Sequence, residues 1–211
     1  MGVTFFPLER HVNRTLISAD GGVLNNSQTG ANDTALALAA RDDQDAFDTL
    51  YRCYVTRIYR YCYSRVDNRA DAEDLTAQTF LAAMEGLNRY RGRGTFTAWL
   101  FGIARHKCAD HHRQRYADPG ESLDVADELA DPLMPDPETN AYHNSIIDCV
   151  QRALSVLSPD RREALRLRFW GGLSAREIAA VMRRSEGAVK MLISRGVADL
   201  RRRCLDDTRN E

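Results

Sequence analysis

Apolar residues recur at three- and four-residue steps in two separate stretches of the chain, the spacing of an amphipathic helix. In the first stretch Phe47, Leu50, Tyr51, Tyr54, Ile58, Tyr61 and Cys62 build one apolar face. Asp67-Asn68 interrupts the pattern. A second helix follows with Asp71, Glu73 and Asp74 in its first turn, where the positive end of the helix dipole favours acids. Its apolar positions are Leu75, Phe80, Ala83, Met84 and Leu87. The run Arg89-Tyr90-Arg91-Gly92-Arg93-Gly94-Thr95 then reads as a loop. A third helix is predicted from about Phe96 to Arg115, with Trp99, Leu100, Ile103 and Ala104 inward. Its later turns display Arg105, Lys107, His111, His112, Arg113 and Arg115.

The second stretch is better punctuated. Ser158-Pro159-Asp160 reads as an N-cap, a proline at the first helical position and an acid. That helix carries Leu165 and Phe169 and ends at Gly171-Gly172. Ser174-Ala175-Arg176-Glu177 is a capping box, opening a short helix with Ile178, Val181 and Met182 inward. Arg183-Arg184-Ser185 makes a tight turn. The last helix runs from Glu186 to about Arg203, with Val189, Ile193, Val197, Leu200 and Cys204 as its buried stripe. The pattern predicts an all-α protein of two small helical domains.

Composition changes this picture in one respect. The 211 residues carry 29 Lys and Arg against 30 Asp and Glu, a formal net charge of −1. Taken whole, that balance argues against a uniformly basic nucleic-acid binder, but the charge is segregated. Residues 41–115 hold 13 basic and 10 acidic residues, a net of +3, and 152–205 hold 13 and five, a net of +8. Between them, 116–151 contain nine acids and no Lys or Arg, with four of the six prolines. Like charges repel and proline favours extended backbone, so this stretch reads as a flexible acidic tether. The expected organisation is a flexible tail at 1–33, a first module at 34–116, an acidic linker at 117–143, a second module at 144–205 and a tail at 206–211. Two basic modules on one tether are what a nucleic-acid partner selects.

Each module offers a way to bind it. In the first, glycines let backbone approach closely, Arg89, Arg91 and Arg93 can meet phosphates, and Tyr90 can stack on an unpaired base. In the second, a short helix, a turn and a longer basic helix form the helix-turn-helix arrangement, whose second helix enters the major groove. Its outward candidates are Ser185, Glu186, Lys190, Ser194 and Arg195, with Arg201 and Arg202 as phosphate contacts.

Other chemistries are poorly supplied. The five cysteines are scattered, odd in number and form no CxxC pair. Cys108 and His112 lie four apart beside His106 and His111, but Arg105, Lys107 and Arg113 would repel a cation and no second ligand pair stands out. Nothing supplies the nucleophile, oriented base and oxyanion donors of an enzyme. No catalytic residue, metal or cofactor is expected. No apolar run approaches the roughly 18 to 20 residues of a membrane span, and no secretory signal is evident, so a cytoplasmic protein without membrane insertion is expected.

Two motifs carry a family resemblance. Asp71-Ala72-Glu73-Asp74-Leu75-Thr76-Ala77-Gln78-Thr79-Phe80 resembles the DAEDLxQETF signature of sigma-70 region 2. Phe96-Thr97-Ala98-Trp99-Leu100-Phe101-Gly102-Ile103-Ala104-Arg105, followed by Asp110 and Arg113, resembles that region's FxxWLxxIARNxxxDxxR segment. Leu157 to Arg203 resembles region 4. With these two regions alone, the chain resembles the extracytoplasmic-function (ECF) group of sigma factors, over about residues 42–203.

The resemblance implies a dissociable subunit of bacterial RNA polymerase that recognises promoters and promotes their opening. Asp71, Asp74 and Gln78 would bind core RNA polymerase. Arg89, Tyr90, Arg91, Arg93, Trp99, Arg105, His106, Lys107, Asp110 and Arg113 would meet the −10 element of promoter DNA, the loop capturing a flipped base. Ser185, Glu186, Lys190, Ser194 and Arg195 would read the −35 element. The acidic tether would thread towards the active-site cleft and RNA exit channel, and an anti-sigma factor is a further partner consistent with the family. Three departures stand out: His106 where the family usually has Asn, Gln78 where it often has Glu, and Met191-Leu192 in place of the frequent Ser-Arg. The alternative reading is a stand-alone helix-turn-helix regulator binding a palindromic site without polymerase.

Overall fold

Helix ends in this chain are set by side chains that satisfy orphan backbone groups, and the computed structural model shows where they do so over residues 26–117 and 152–207. The expected linker beyond residue 117, the first 25 residues and the last four lie outside these described residues. Seven α-helices are described: α1 (Asn26–Ala39), α2 (Gln44–Val66), α3 (Arg69–Gly86), α4 (Phe96–Ala117), α5 (Pro159–Phe169), α6 (Ala175–Met182) and α7 (Glu186–Asp207). A single 3-10 turn, Leu87–Arg89, extends α3, and a helical turn at 152–155 precedes α5. The described residues contain no strand, so the fold class is all-α.

The sequence punctuation acts as caps. Asp43 accepts from the backbone N–H groups of Asp45 (2.9 Å) and Ala46 (3.3 Å) to open α2. Asp67 ends that helix in the left-handed region (φ 53°), and Asn68 caps α3 by accepting from Asp71 N–H at 3.0 Å. Ser174 and Glu177 form the full capping box. Arg183, also left-handed (φ 54°), turns the chain into α7, where Ser185 Oγ accepts from Ala188 N–H. Ser158 occupies the N-cap position of α5, but its side chain makes no capping bond there.

Helices α2, α3 and α4 form the first bundle, with α1 laid across α2 and α4. Tyr54, Ile58, Tyr61 and Cys62 of α2 meet Leu75 and Phe80 of α3 and Phe96, Leu100, Phe101 and Cys108 of α4 in its core. Ring contacts such as Tyr61 on Phe101 (5.6 Å, edge-on) fill it. Helix α1 starts at Asn26, ahead of the expected module boundary at 34. Its Asn-Ser-Gln-Thr-Gly start has no apolar period, and Ala37 and Ala40 at its far end are what the bundle buries. Met84, read as an inward position, is 52% exposed. The inward stripe of α3 is Ala72, Leu75, Thr79, Phe80 and Ala83, and Met84 lies at its exposed margin, between Phe80 and Leu81. Phe169, likewise read with the apolar face of α5, is 60% exposed.

Helices α5 to α7 form the second unit. Gly196 of α7 lies so close under α5 that a Cβ there would begin 2.9 Å from Leu165. The two units share one continuous buried cluster, because Ala164, Leu167, Leu173, Ile178 and Val181 join the core of the first bundle. Glu163 of α5 is the polar centre of this junction. Its carboxylate accepts from Tyr61 Oη at 2.7 Å, pairs with Arg65, and lies 3.4 Å from Arg105. Arg57 adds bonds from α2 to the carbonyls of Gly171 (2.9 Å) and Gly172 (3.4 Å). Burial, then the Glu163 charge, pushes the Tyr61 hydroxyl well above the ordinary tyrosine range. Burial, then neighbouring Arg65, brings Arg166 down to about 10.

Candidate nucleic-acid interface

The loop between α3 and α4 is shaped by two glycines in the left-handed region, Gly92 (φ 67°) and Gly94 (φ 83°), which a side chain would strain. These turns send Arg89, Arg91 and Arg93 outward and Tyr90 inward. The three arginines are exposed and pair with no acid among the described residues. Tyr90 is only 4% exposed: its ring packs on Trp99 (4.9 Å) and Phe96 (6.0 Å), and its hydroxyl donates to Gly94 C=O at 3.3 Å. In this arrangement Tyr90 braces the loop from beneath, and half-buried Trp99 is the ring that reaches the surface beside it.

On α4, Trp99, His106, Asp110 and Arg113 follow at steps of seven, four and three, which places them on one face. Asp110 is held on that face by His106 Nδ1 at 2.8 Å and by Arg113. Lys107 lies to one side of this stripe. Arg105 points elsewhere, towards Glu163 of α5, and so is engaged by the second unit. The loop arginines and the α4 face together form a basic, partly aromatic surface suited to phosphates and an unpaired base.

In the second unit Ser185, which caps α7, and Glu186, Lys190, Ser194 and Arg195 along it are all exposed. Lys190 Nζ reaches Glu186 Oε1 at 2.7 Å, and that bond holds the Glu186 carboxyl below the ordinary range. Arg195 is exposed with no acidic partner among the described residues. Met191 is 53% exposed on the same helix, while Leu192 packs against the core. Arg184 ties the turn to Asp160 of α5, and Arg161 ties α5 to Asp199 of α7 at 2.7 Å, so the recognition helix sits on a braced support.

The acids at the start of α3 divide. Asp74 is exposed and accepts from Gln78 Nε2 at 2.7 Å. Asp71 is half-buried, with Arg115 at 3.3 Å and His111 at 3.5 Å, which fastens α3 to the end of α4. Leu81 (56% exposed) and Met84 continue the outer face beyond Asp74 and Gln78. This acidic-to-apolar strip was missed from sequence because Met84 fits the inward spacing as well as the outward one.

The His/Cys cluster of α4 disperses. Cys108 is buried against Cys62 (3.8 Å), His106 turns to Asp110, His111 to Asp71, and His112 to Arg65 C=O at 3.2 Å. Among the described residues no three His, Cys, Asp or Glu side chains are placed to share an ion. No described helix is long and apolar enough to cross a membrane.

The family model described as Sigma-70 region 2 matches residues 50–117, and that described as Sigma-70, region 4 matches 147–200. The chain is 41% identical over 181 residues to the ECF RNA polymerase sigma factor BldN of Streptomyces coelicolor, covering 81% of this chain and 65% of that protein. The chain therefore spans just under two thirds of that relative's length. It is 33% identical over 176 residues to the ECF RNA polymerase sigma factor SigD of Mycobacterium tuberculosis, covering 80% of this chain and 82% of SigD. Among solved structures, CnrH in complex with the cytosolic domain of CnrY matches with a TM-score of 0.62 at 27% identity, over 83% of this chain and 97% of that one.

Proposed function

Because the chain belongs to the ECF group of the sigma-70 family, we propose that it binds core RNA polymerase and directs it to promoters by holding their −10 and −35 elements. The observation that carries this reading is the pair of outward basic faces, the loop arginines of 89–93 and the first turns of α7. They lie on the region 2 and region 4 matches respectively.

The mechanism is binding without a chemical step, and the protein is not an enzyme. Asp74 and Gln78, with Leu81 and Met84 beside them, offer core polymerase a charged strip with an apolar margin. Arg89, Arg91 and Arg93 draw the strand backbone to the loop, and Trp99 with the α4 face receives bases as they unpair. Base capture makes the open strand lower in free energy than the closed duplex, so opening proceeds without another energy source. Residues of α7 read the −35 duplex while Arg195 and Lys190 add backbone or base contacts. The cell compartment is the one that holds the transcription machinery, the cytoplasm.

The packed arrangement of the two units is not the promoter-bound one. Helix α6 touches both α4 and α7, and packed helices lie about 8–10 Å apart, which puts α7 within about 20 Å of α4. Two elements about 25 base pairs apart lie on the order of 85 Å apart along duplex DNA, taking about 34 Å per helical turn. The units therefore part when both elements are held, and the Glu163 junction is what must break. An anti-sigma factor is a further partner on this reading, as the similar CnrH is solved in complex with the cytosolic domain of CnrY.

Run-off transcription with core polymerase tests the proposal. Added protein should create discrete start sites, each preceded by a shared pair of elements. Start sites unchanged from those of core polymerase alone would overturn it.

A further inference from the structure

We propose that Arg41 is a positioning residue for the base-capture loop, resting on the reading above that residues 89–95 receive an unpaired base. Arg41 lies in the short link between α1 and α2, outside the matched region 2 stretch. Its guanidinium reaches across the bundle, donating from Nε to Leu87 C=O at 3.2 Å and from Nη2 to Tyr90 C=O. These are the carbonyls at the two ends of the 3-10 turn that leads into the loop.

The local physical need is clear. The last carbonyls of a helix lack intrahelical donors and carry partial negative charge, and a cation placed there is favoured. Helix α3 has no basic residue in its own last turn. The only basic residue of the 3-10 turn, Arg89, faces outward. Arg41 therefore caps this end from another part of the chain, and its planar fork spans two carbonyls at once, which a lysine ammonium does less well.

Helix α1 completes the seat. The methyl groups of Thr34 and Leu38 lie 3.6 and 3.7 Å from where a Cβ on Gly92 would stand. With Tyr90 packed on Trp99 below and its hydroxyl on Gly94 C=O, the loop is held at its entry, its apex and its exit. The three exposed arginines inherit their directions from these three anchors. A loop fixed before DNA arrives does not lose its conformational freedom on binding, and this lets a small set of contacts discriminate bases.

Two readouts test the seat. The first needs no polymerase: native protein is treated with trypsin, and cleavage after Arg89, Arg91 and Arg93 is mapped with time. R41A should speed cleavage there by about tenfold or more, the loss of roughly one charge-assisted hydrogen bond, while far-UV circular dichroism is unchanged. R41K should lie between R41A and the native protein, and L38A, which touches no hydrogen bond, should also speed it. The second uses holoenzyme on promoters differing at single −10 positions. R41A should flatten the ratio of opening rates between the preferred base and the others by about tenfold, with core affinity within about twofold. Unchanged cleavage, or faster cleavage with base preference intact, overturns the proposal, as does a parallel loss of core affinity and preference. If native holoenzyme opens no promoter while R41A still loosens the loop, the sigma-factor reading fails and the seat stands.

Discussion

Replacing Glu163 with alanine should part the two helical units without unfolding either. Glu163 is 6% exposed, and its carboxylate serves a fully buried Tyr61 hydroxyl and Arg65, whose side chain is 16% exposed. Removing one member of a buried ion pair leaves the other uncompensated, at a cost of about 3–5 kcal/mol. The third partner, Arg105, is 46% exposed at 3.4 Å and adds little to that figure. At about 1.4 kcal/mol per decade, the ratio of parted to packed molecules rises roughly 100- to 4,000-fold. The assay is thiol alkylation followed by peptide mass spectrometry. Cys108 is fully buried and close enough to the junction to feel the charges of Glu163 and Arg166, whereas Cys53 is exposed and serves as the control. In the variant Cys108 should be alkylated at least about tenfold faster, the exposure that such a population shift brings, and Cys53 at its native rate. Because Glu163 also acts on the thiol electrostatically, Gly171→Ala supplies a neutral check. Its Cβ would stand 2.8 Å from Phe101 across the junction, and 2.8 Å from Leu167 C=O and 2.9 Å from Leu173 in its own unit, so it wedges the junction and presses on the turn after α5 with no change of charge. Native-rate labelling of Cys108 in both variants would refute the claim that Glu163 and the Gly171 contact hold the units together.

Other consequences can be measured separately. Gly196→Ala forces a Cβ to within 2.9 Å of Leu165, and urea denaturation should show a loss of about 1–3 kcal/mol from overpacking. Burial, then the Arg65 charge, holds His112 below its ordinary pKa of 6.5. The unfolded chain then binds the proton first, so stability is full above about pH 6.5 and falls as the pH drops towards the lower folded value. His112→Asn should flatten that part of the stability profile, and an unchanged slope between pH 7.5 and 5.5 would contradict it. For holoenzyme on a −35-dependent promoter, Lys190→Ala should reduce the slope of log affinity against log salt by about one, as loss of one phosphate contact requires. Arg195→Ala should lower −35-dependent transcription more than core binding, and an equal loss of both would count against its role.

Much of the fold was legible because it is written locally. The Asp67-Asn68 break became a left-handed helix end followed by an N-cap, and the Ser174–Glu177 box formed as its spacing requires. Distant partners were not legible. Glu163 looked like one acid among many arginines, yet its Tyr61 partner lies 102 residues away. Arg41 carries no motif, since its role is to satisfy carbonyls that every residue possesses. Within the loop, composition gave Arg, Gly and Tyr together, but the positive φ angles at Gly92 and Gly94 decide that the arginines face solvent and Tyr90 faces Trp99. The two-module division is visible in the charge pattern, whereas their shared core depends on apolar side chains such as Leu167 and Leu173 that fit an internal helix contact equally well.

On the proposed function, promoter opening requires both this chain and core polymerase, with the loop of residues 89–95 taking the exposed strand. Permanganate reactivity of thymines across a mapped promoter tests it most directly, with the protein alone, core polymerase alone and the two together. Reactive thymines should appear at the −10 element only with both present, and be lost when Arg89, Arg91 and Arg93 are replaced together by alanine. Tight binding to a palindromic site by the protein alone, with no reactive thymines when core polymerase is added, would contradict it.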